Sequence, residues 1–258
     1  MKVKIIGISG SPRDGNTHIL VKECLKAAET LKDVETEFIA LRDYKIKGGC
    51  AVCYECFKKP SWEKLCYAYK DDMNDIMRKL LSGDGFIFGC PVYWGGMTPL
   101  FKMFIDRLHP FAPLGQALRN KAAGAVTVAL GRSAGQEHVI AEMIRVIMFH
   151  DMVPVGVQPV WPSEGMASPW GVCGQQGWPT SISSVVDGNK EGVKQDKIAL
   201  ACAKVLGKRV AETAKIIKAG LTIVNQTNNE TEWPPGPLQP ADYKKVGDVH
   251  FSYRKDQG

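Results

Sequence analysis

The chain has 258 residues, 45% of them hydrophobic and 23% charged, an ordinary globular balance with enough length to bury one generous core. The 33 Lys and Arg against 27 Asp and Glu leave a formal charge of +6, spread along the chain rather than gathered into a basic stripe with interleaved aromatics, so no nucleic-acid partner is expected. No apolar run approaches the roughly 18 residues of a membrane span, and the apolar stretch of MKVKIIGISGSP is too short for a leader peptide. The expectation is a cytoplasmic protein without a membrane partner.

Lys2–Ile8 is rich in β-branched residues and ends in glycine and serine, which predicts a buried first strand. The polar loop SGSPRDGNT follows, then a helix over His18–Leu31 with Ile19, Leu20, Cys24, Ala27, Ala28 and Leu31 at helical spacing. Val34–Leu41 alternates as a second strand. A cysteine-rich segment comes next, and Asp71–Asp72 reads as the cap of a helix over Met73–Leu81. Gly85–Gly89 is a third strand ending at CPVYWGGMTP, and Thr98–Leu108 is a helix with a capping threonine and first-turn proline.

Ala122–Leu130 is a fourth strand, followed by the loop GRSAGQE, a helix over Glu137–Phe149 and a fifth strand over Met152–Val157. Pro159–Gly192 reads as an irregular excursion, Lys194–Ala219 as a long amphipathic helix, and the Pro-rich stretch from Glu232 as a tail without a core pattern. Strands alternating with helices predict an α/β fold: a flavodoxin-like, doubly wound, five-stranded parallel sheet. The expected division is a flavodoxin-like domain over 1–218 and a C-terminal tail over 219–258. The domain would carry a cysteine insertion at 48–70 and the excursion at 159–192.

In such a sheet, ligands bind beyond the C-terminal ends of the strands. The first of these ends, Ser9 to Thr17, is a glycine- and hydroxyl-rich turn that opens a helix, a suitable cradle for phosphate. Ser9, Ser11, Asn16 and Thr17 add side-chain donors and Arg13 adds a cation. Gly10–Thr17 matches the phosphate-binding loop of nucleotide triphosphatases except that Asn16 replaces the lysine, so nothing at that position reaches a β- or γ-phosphate. The dinucleotide pattern GxGxxG is also missing. A single terminal phosphate, as in flavin mononucleotide (FMN), suits these donors; a helix start that binds nothing is the competing reading.

At the next strand end, Pro91, Val92, Tyr93, Trp94 and Gly95 place two aromatics before a Gly–Gly pair. A flat ring needs such walls, with glycines that let backbone approach its edge. Ser133 and Gly135, in the loop after strand four, would supply the opposite wall. Core or interface packing of the two aromatics is the alternative. SGSPRDGNT, CPVYWGGMTP and the five-unit pattern together resemble the FMN-dependent reductases of the flavodoxin superfamily. With the cysteine segment after strand two, residues 1–215 are most similar to the iron–sulfur flavoproteins. That resemblance implies FMN held by the first loop with its ring against the second. It also implies a compact cysteine motif binding a [4Fe–4S] cluster, and homo-oligomers, a homodimer or homotetramer, in which neighbouring subunits complete the redox site.

Cys50, Cys53 and Cys56 form a CxxCxxC triplet and Cys66 follows, a soft ligand set for an iron–sulfur cluster. Zinc is the main competitor, although the nearest downstream histidine is His109 and a complete zinc knuckle is hard to draw. The spacer before Cys66 is longer than in the resembled family, which leaves Cys90, at a ligand-facing strand end, as the other choice of fourth ligand. Cys24 and Cys202 read as buried small hydrophobes.

No catalytic triad or carboxylate pair stands out, so the chemistry is expected to be carried by the cofactors. The reading is an oxidoreductase that takes electrons from a one-electron donor such as ferredoxin through the cluster to FMN, and on to a small-molecule acceptor. The alternatives are an NAD(P)H-dependent FMN or quinone reductase, and an electron-transfer or redox-sensing flavoprotein without its own substrate. The Trp-rich excursion, with Trp161, Trp170 and Trp178, reads equally as a pocket wall or a packing surface.

Overall fold

The computed structural model describes residues 1–157, 169–177 and 189–227. Its elements run β1 (Val3–Ser9), α1 (Asn16–Glu29), β2 (Val34–Ala40), α2 (Glu55–Lys58), α3 (Met73–Leu81), β3 (Gly85–Pro91) and α4 (Pro99–Asp106). They continue with β4 (Ala122–Ala129), α5 (Gln136–Phe149), β5 (Val153–Pro154), β6 (Val172–Gln175) and α6 (Lys197–Thr227). The strands pair in parallel in the order β2-β1-β3-β4-β5, with β6 also on β4, which is the doubly wound order expected.

Parallel strands covered on both faces are apolar at nearly every position, and β3 and β4 have that pattern. Alternation divides them between two cores. Val3 and Ile5 of β1, Ile87 of β3, and Val126 and Val128 of β4 pack with α1 and α6. On the other face Ile6, Ile8, Phe86, Phe88 and Ala125 pack with α3, α4 and α5. Thr98 caps α4 by accepting a hydrogen bond from Phe101 N at 3.2 Å, with Pro99 at the first helical position, as the sequence predicts.

The fifth strand differs from its expectation of Met152–Val157. It is two short pieces: β5 pairs with Ala122 and Ala123, and β6 pairs with Val126–Ala129. Between them the chain leaves the sheet at Gly156, where a Cβ would lie 2.3 Å from the carbonyl oxygen of Pro169. A strand thus lies inside the segment read as irregular; the four residues of Val172–Gln175, one of them a glycine, are too few to show a period of two. The long helix begins at Lys197 and continues to Thr227, past the predicted end at Ala219. The tail from Glu232, and Trp161 and Trp178 of the excursion, lie outside the described residues; Trp170 is exposed.

Helix α6 crosses α1 at Gly207, where a Cβ would fall 1.9 Å from the carbonyl oxygen of Cys24. The obstacle is backbone, which cannot rotate aside. We expect Gly207→Ala to destabilise the fold by about 1–3 kcal/mol as an overpacking change. At Gly220 of the same helix a Cβ meets nothing within 4 Å, so Gly220→Ala should stabilise by about 0.5–1 kcal/mol. Urea unfolding of both variants checks the pair, and effects of the same sign would refute the packing account.

Candidate cofactor sites

The C-terminal ends of β1, β3 and β4 converge on a cavity of about 180 Å³. Ser11, Arg13, Asn16 and Thr17 line it from the first loop, and Pro91, Val92 and Tyr93 from the second. Val128, Ala129 and Leu130 close it from β4, with Gln176 beyond β6. Gly15 is the N-cap of α1 and no side chain caps the helix, which leaves the first-turn N–H groups facing the loop with the positive end of the helix. Arg13 Nη2 and Asn16 Nδ2 donate to Gln176 Oε1 at 3.0 and 3.2 Å, and Asn16 Oδ1 accepts from Val193 N at 3.0 Å. These contacts fasten the phosphate-type loop to the segment after β6. Free backbone donors, hydroxyls and one guanidinium suit a phosphate monoester, so the residues fit FMN.

Five of the predicted flavin residues lie elsewhere. Ser9 is beneath the loop, fully buried, with its hydroxyl paired to His18 Nδ1 at 3.1 Å. Trp94 is 104% exposed. It and Gly95 are the central residues of a tight turn closed by reciprocal hydrogen bonds between Tyr93 and Gly96, and both have positive φ, at 49° and 81°. Ser133 and Gly135 line a second cavity, of about 450 Å³, together with Arg132, Gln136, Cys173 and Asp196. The loops after β3 and β4 nevertheless touch: Gly135 has φ +104°, and a Cβ there would come within 2.9 Å of Gly95 Cα.

The cysteine loop lies between β2 and α3. Val52 and Tyr54, neither a glycine, take left-handed φ of 52° and 55°, which winds Cys50–Cys56 tightly enough for Val52 N to donate to Cys50 Sγ at 3.4 Å. Cys56 is buried, and burial pushes its thiol up to about 11, with the sulfurs of Cys66, Cys50 and Cys53 adding to the effect. Cys56 is therefore within electrostatic reach of the other three sulfurs. Among the described residues no three His, Cys, Asp or Glu side chains close around a single metal ion. A multi-iron cluster is larger than one ion and takes its thiolates at separated corners, so four soft donors in one neighbourhood fit it. Cys90 is apart from them, fully buried, with Thr98 N donating to its sulfur at 3.4 Å.

Cys66 is held on two sides. Its backbone N–H donates to Asn74 Oδ1 at 2.8 Å, and Asn74 Nδ2 donates to its carbonyl at 3.0 Å. Its sulfur receives Arg107 Nε at 3.1 Å. Arg107, only 1% exposed, also forms a bidentate pair with Asp71 at 3.1 Å on both arms and donates to Gly48 O at 3.2 Å. Burial alone would raise the Asp71 carboxyl, but the hydrogen bonds from Arg107 and Lys47 N outweigh it and hold it below the usual range. The capping expectation holds in part: Asp71 Oδ1 accepts from Met73 N at the start of α3 at 3.3 Å while the carboxylate pairs with Arg107, and the Asp72 carboxylate accepts from Lys45 N at 2.6 Å and makes no cap to α3.

The family model described as NADPH-dependent FMN reductase matches residues 3–165. An iron–sulfur flavoprotein of Methanocaldococcus jannaschii is 38% identical over 222 residues, covering 84% of this chain and all of the relative. The chain belongs to the iron–sulfur flavoproteins of the FMN reductase family.

Another iron–sulfur flavoprotein, from Archaeoglobus fulgidus, is 29% identical over 216 residues, covering 84% of this chain and 98% of its own. Among solved structures, RosB with bound 8-demethyl-8-formylriboflavin-5'-phosphate superposes with a TM-score of 0.60 at 14% identity, covering 98% of this chain and 90% of that one. A flavodoxin, WrbA-like protein from Agrobacterium tumefaciens superposes at 0.51 with 18% identity, covering 83% and 99%. These two support the fold. The family makes the chain a flavin-dependent oxidoreductase, and no described helix is long and apolar enough to cross a membrane.

Sequence reasoning passed over Arg107, read Asp71 only as a helix cap, and considered His109 only as a zinc ligand. His109 Nδ1 lies 3.7 Å from Cys50 Sγ, at the rim of a groove of about 570 Å³ that also takes in Tyr54, Lys102, Phe149 and His150. The one available signal for Arg107 was a lone arginine at the end of the apolar helix TPLFKMFIDRL. His150 closes α5 with its Nδ1 buried and unpartnered, and burial pushes its pKa down to about 4. An unfolded histidine protonates near 6.5, so stability held above that pH is lost as pH falls toward 4, by about 3 kcal/mol at roughly 1.4 kcal/mol per pH unit. His150→Gln should flatten the unfolding free energy between those two pH values. Wild-type and variant curves of equal slope there would contradict it.

Proposed function

We propose that the chain is an FMN- and [4Fe–4S]-containing oxidoreductase of the cytoplasm. In this reading electrons from a one-electron donor such as ferredoxin pass through the cluster to FMN and on to a small acceptor, in a homodimer or homotetramer. The bound flavin supplies two-electron chemistry and the cluster single-electron steps. The observation that carries the proposal is the tight winding of Cys50–Cys56 by the left-handed Val52 and Tyr54, with the Cys66 sulfur held by Arg107 on the same segment and Cys90 held elsewhere by Thr98. The relatives' description as iron–sulfur flavoproteins supports it as well.

The chain's own residues bind, orient and exclude water. The first turn of α1 and the Thr17 hydroxyl offer neutral donors to a terminal phosphate, Arg13 balances its charge, and the Ser11 hydroxyl shapes the loop by donating to Arg13 O at 2.7 Å. Tyr93, half in the cavity and 43% exposed, walls the outer side. Helix α4 connects the two sites. The Thr98 hydroxyl at its start donates to Gly10 O at 2.8 Å in the first loop, and Arg107 beyond its end reaches Cys66. Nine residues of rise set these anchors about 14 Å apart along the axis.

Direct reduction of the flavin by NAD(P)H is the second reading, favoured by the description of the matched family model. Iron, zinc, sulfide and flavin analysis of anaerobically purified protein distinguishes them; about four iron and four sulfide per FMN are expected. Cys50→Ser and Cys66→Ser should lose iron and keep FMN, whereas Cys90→Ser should keep both. FMN without iron, reduced rapidly by NADPH, would establish the second reading instead. Arg13→Ala should weaken FMN binding about tenfold, the scale of one charge-assisted hydrogen bond. Flavin fluorescence titration of apoprotein measures it, and an unchanged affinity would remove Arg13 from the site.

A further inference from the structure

Arg107 is the largest fully buried side chain among the described residues, and its Nε–H has one acceptor. Both terminal nitrogens are engaged with Asp71, and Nη1 also with Gly48 O. The guanidinium lies over the Tyr69 ring, 4.8 Å from its centre. Nε has a single hydrogen, and its acceptor is Cys66 Sγ at 3.1 Å, a buried contact between residues 41 apart in sequence. Arginine remains charged at any accessible pH, so this is a permanent cation on one sulfur of the group of four.

We infer that Arg107 is a positioning residue that holds the Cys66 sulfur in place and makes the cluster easier to reduce; this rests on the cluster reading above. Hydrogen bonds to ligating sulfurs are one of the levers on cluster potential. Reduction adds one electron to the cluster from an external one-electron reductant. The negative charge that this adds is shared with the sulfurs, where the Nε–H and the guanidinium charge stabilise it. Asp71 has the opposite influence, because its carboxylate offsets the guanidinium in the oxidised and reduced states alike. The Cys90 sulfur has neither partner: its contacts are Thr98 and the carbonyl of Pro91.

The test is a dithionite titration of the full chain, purified without oxygen, with cluster reduction followed by EPR and flavin reduction by absorbance. Iron, sulfide and FMN are measured on each preparation. R107Q should make cluster reduction at least tenfold less favourable, 59 mV lower for a one-electron couple, with the flavin potential unmoved. D71N should raise the cluster potential, since the guanidinium loses its counter-charge. Opposite signs from two partners of one ion pair distinguish tuning from simple loss of structure. If R107Q arrives without its cluster, D71N decides: a rise supports the inference and an unmoved midpoint overturns it. An iron-loaded R107Q with the wild-type midpoint also overturns it. Wild-type protein containing flavin but no iron would instead overturn the cluster reading, and this inference with it.

Discussion

A cation cannot be left unanswered inside a protein, and the buried guanidinium of Arg107 organises what surrounds it. Asp71, the Gly48 carbonyl, the Tyr69 ring and the Cys66 sulfur come from four points of the segment between β2 and α3, and all of them meet one side chain from the end of α4. Breaking one partner of such a buried pair costs about 3–5 kcal/mol. The cysteine segment has little regular structure, only the four residues of α2, so this network and the Asn74 clamp on Cys66 act together with the buried Leu65, and with Trp62 and Ala68 against the same core, to hold it. The segment is fastened by electrostatics to a helix that the main core holds rigid.

Helix α4 is rigid because its inner face is Phe101, Phe104 and Ile105, packed under β1 and β3. Its cap, Thr98, serves both as helix start and as an anchor for the first loop, through Gly10 O. The phosphate-type loop and the cysteine loop are therefore referenced to the two ends of one short rod. The loops after β3 and β4 meet at Gly95 and Gly135, where a side chain at Gly135 would run into the Gly95 backbone and force them apart. Parallel topology brings these loops to one edge of the sheet, and small residues let them close on each other.

What could be read from the sequence follows how local each cause is. β1, β3 and β4 were legible because burial on both faces leaves continuous apolar runs, and α4 because Thr98–Pro99 is a local start signal. The first loop was legible because its donors are contiguous, although burial beneath the loop removes Ser9 from the cavity wall. Trp94 reads as a ring wall from its place in the sequence; the turn with two positive φ values that leaves it exposed does not show in a sequence pattern. Arg107, Asp71 and Cys66 are separated by 36 and 41 residues from the arginine's own position, and no periodicity records a contact of that kind. An aspartate before a helix has the same appearance whether it only caps the helix or, like Asp71, also pairs with a distant cation.

The division of the fifth strand bears on how such a protein can diversify. β5 and β6 hold the two halves of β4 independently, and the chain between them departs at Gly156 and returns beside it, with Val157 N donating to Pro169 O at 3.1 Å. A segment whose two ends are already fastened together can lengthen or shorten at small entropic cost, about 0.6 kcal/mol for each doubling. The register of the sheet and the seating of both helical layers are indifferent to its length. This margin of the sheet is therefore a place where new chain can be accepted beside the ligand edge while the framework stays as it is.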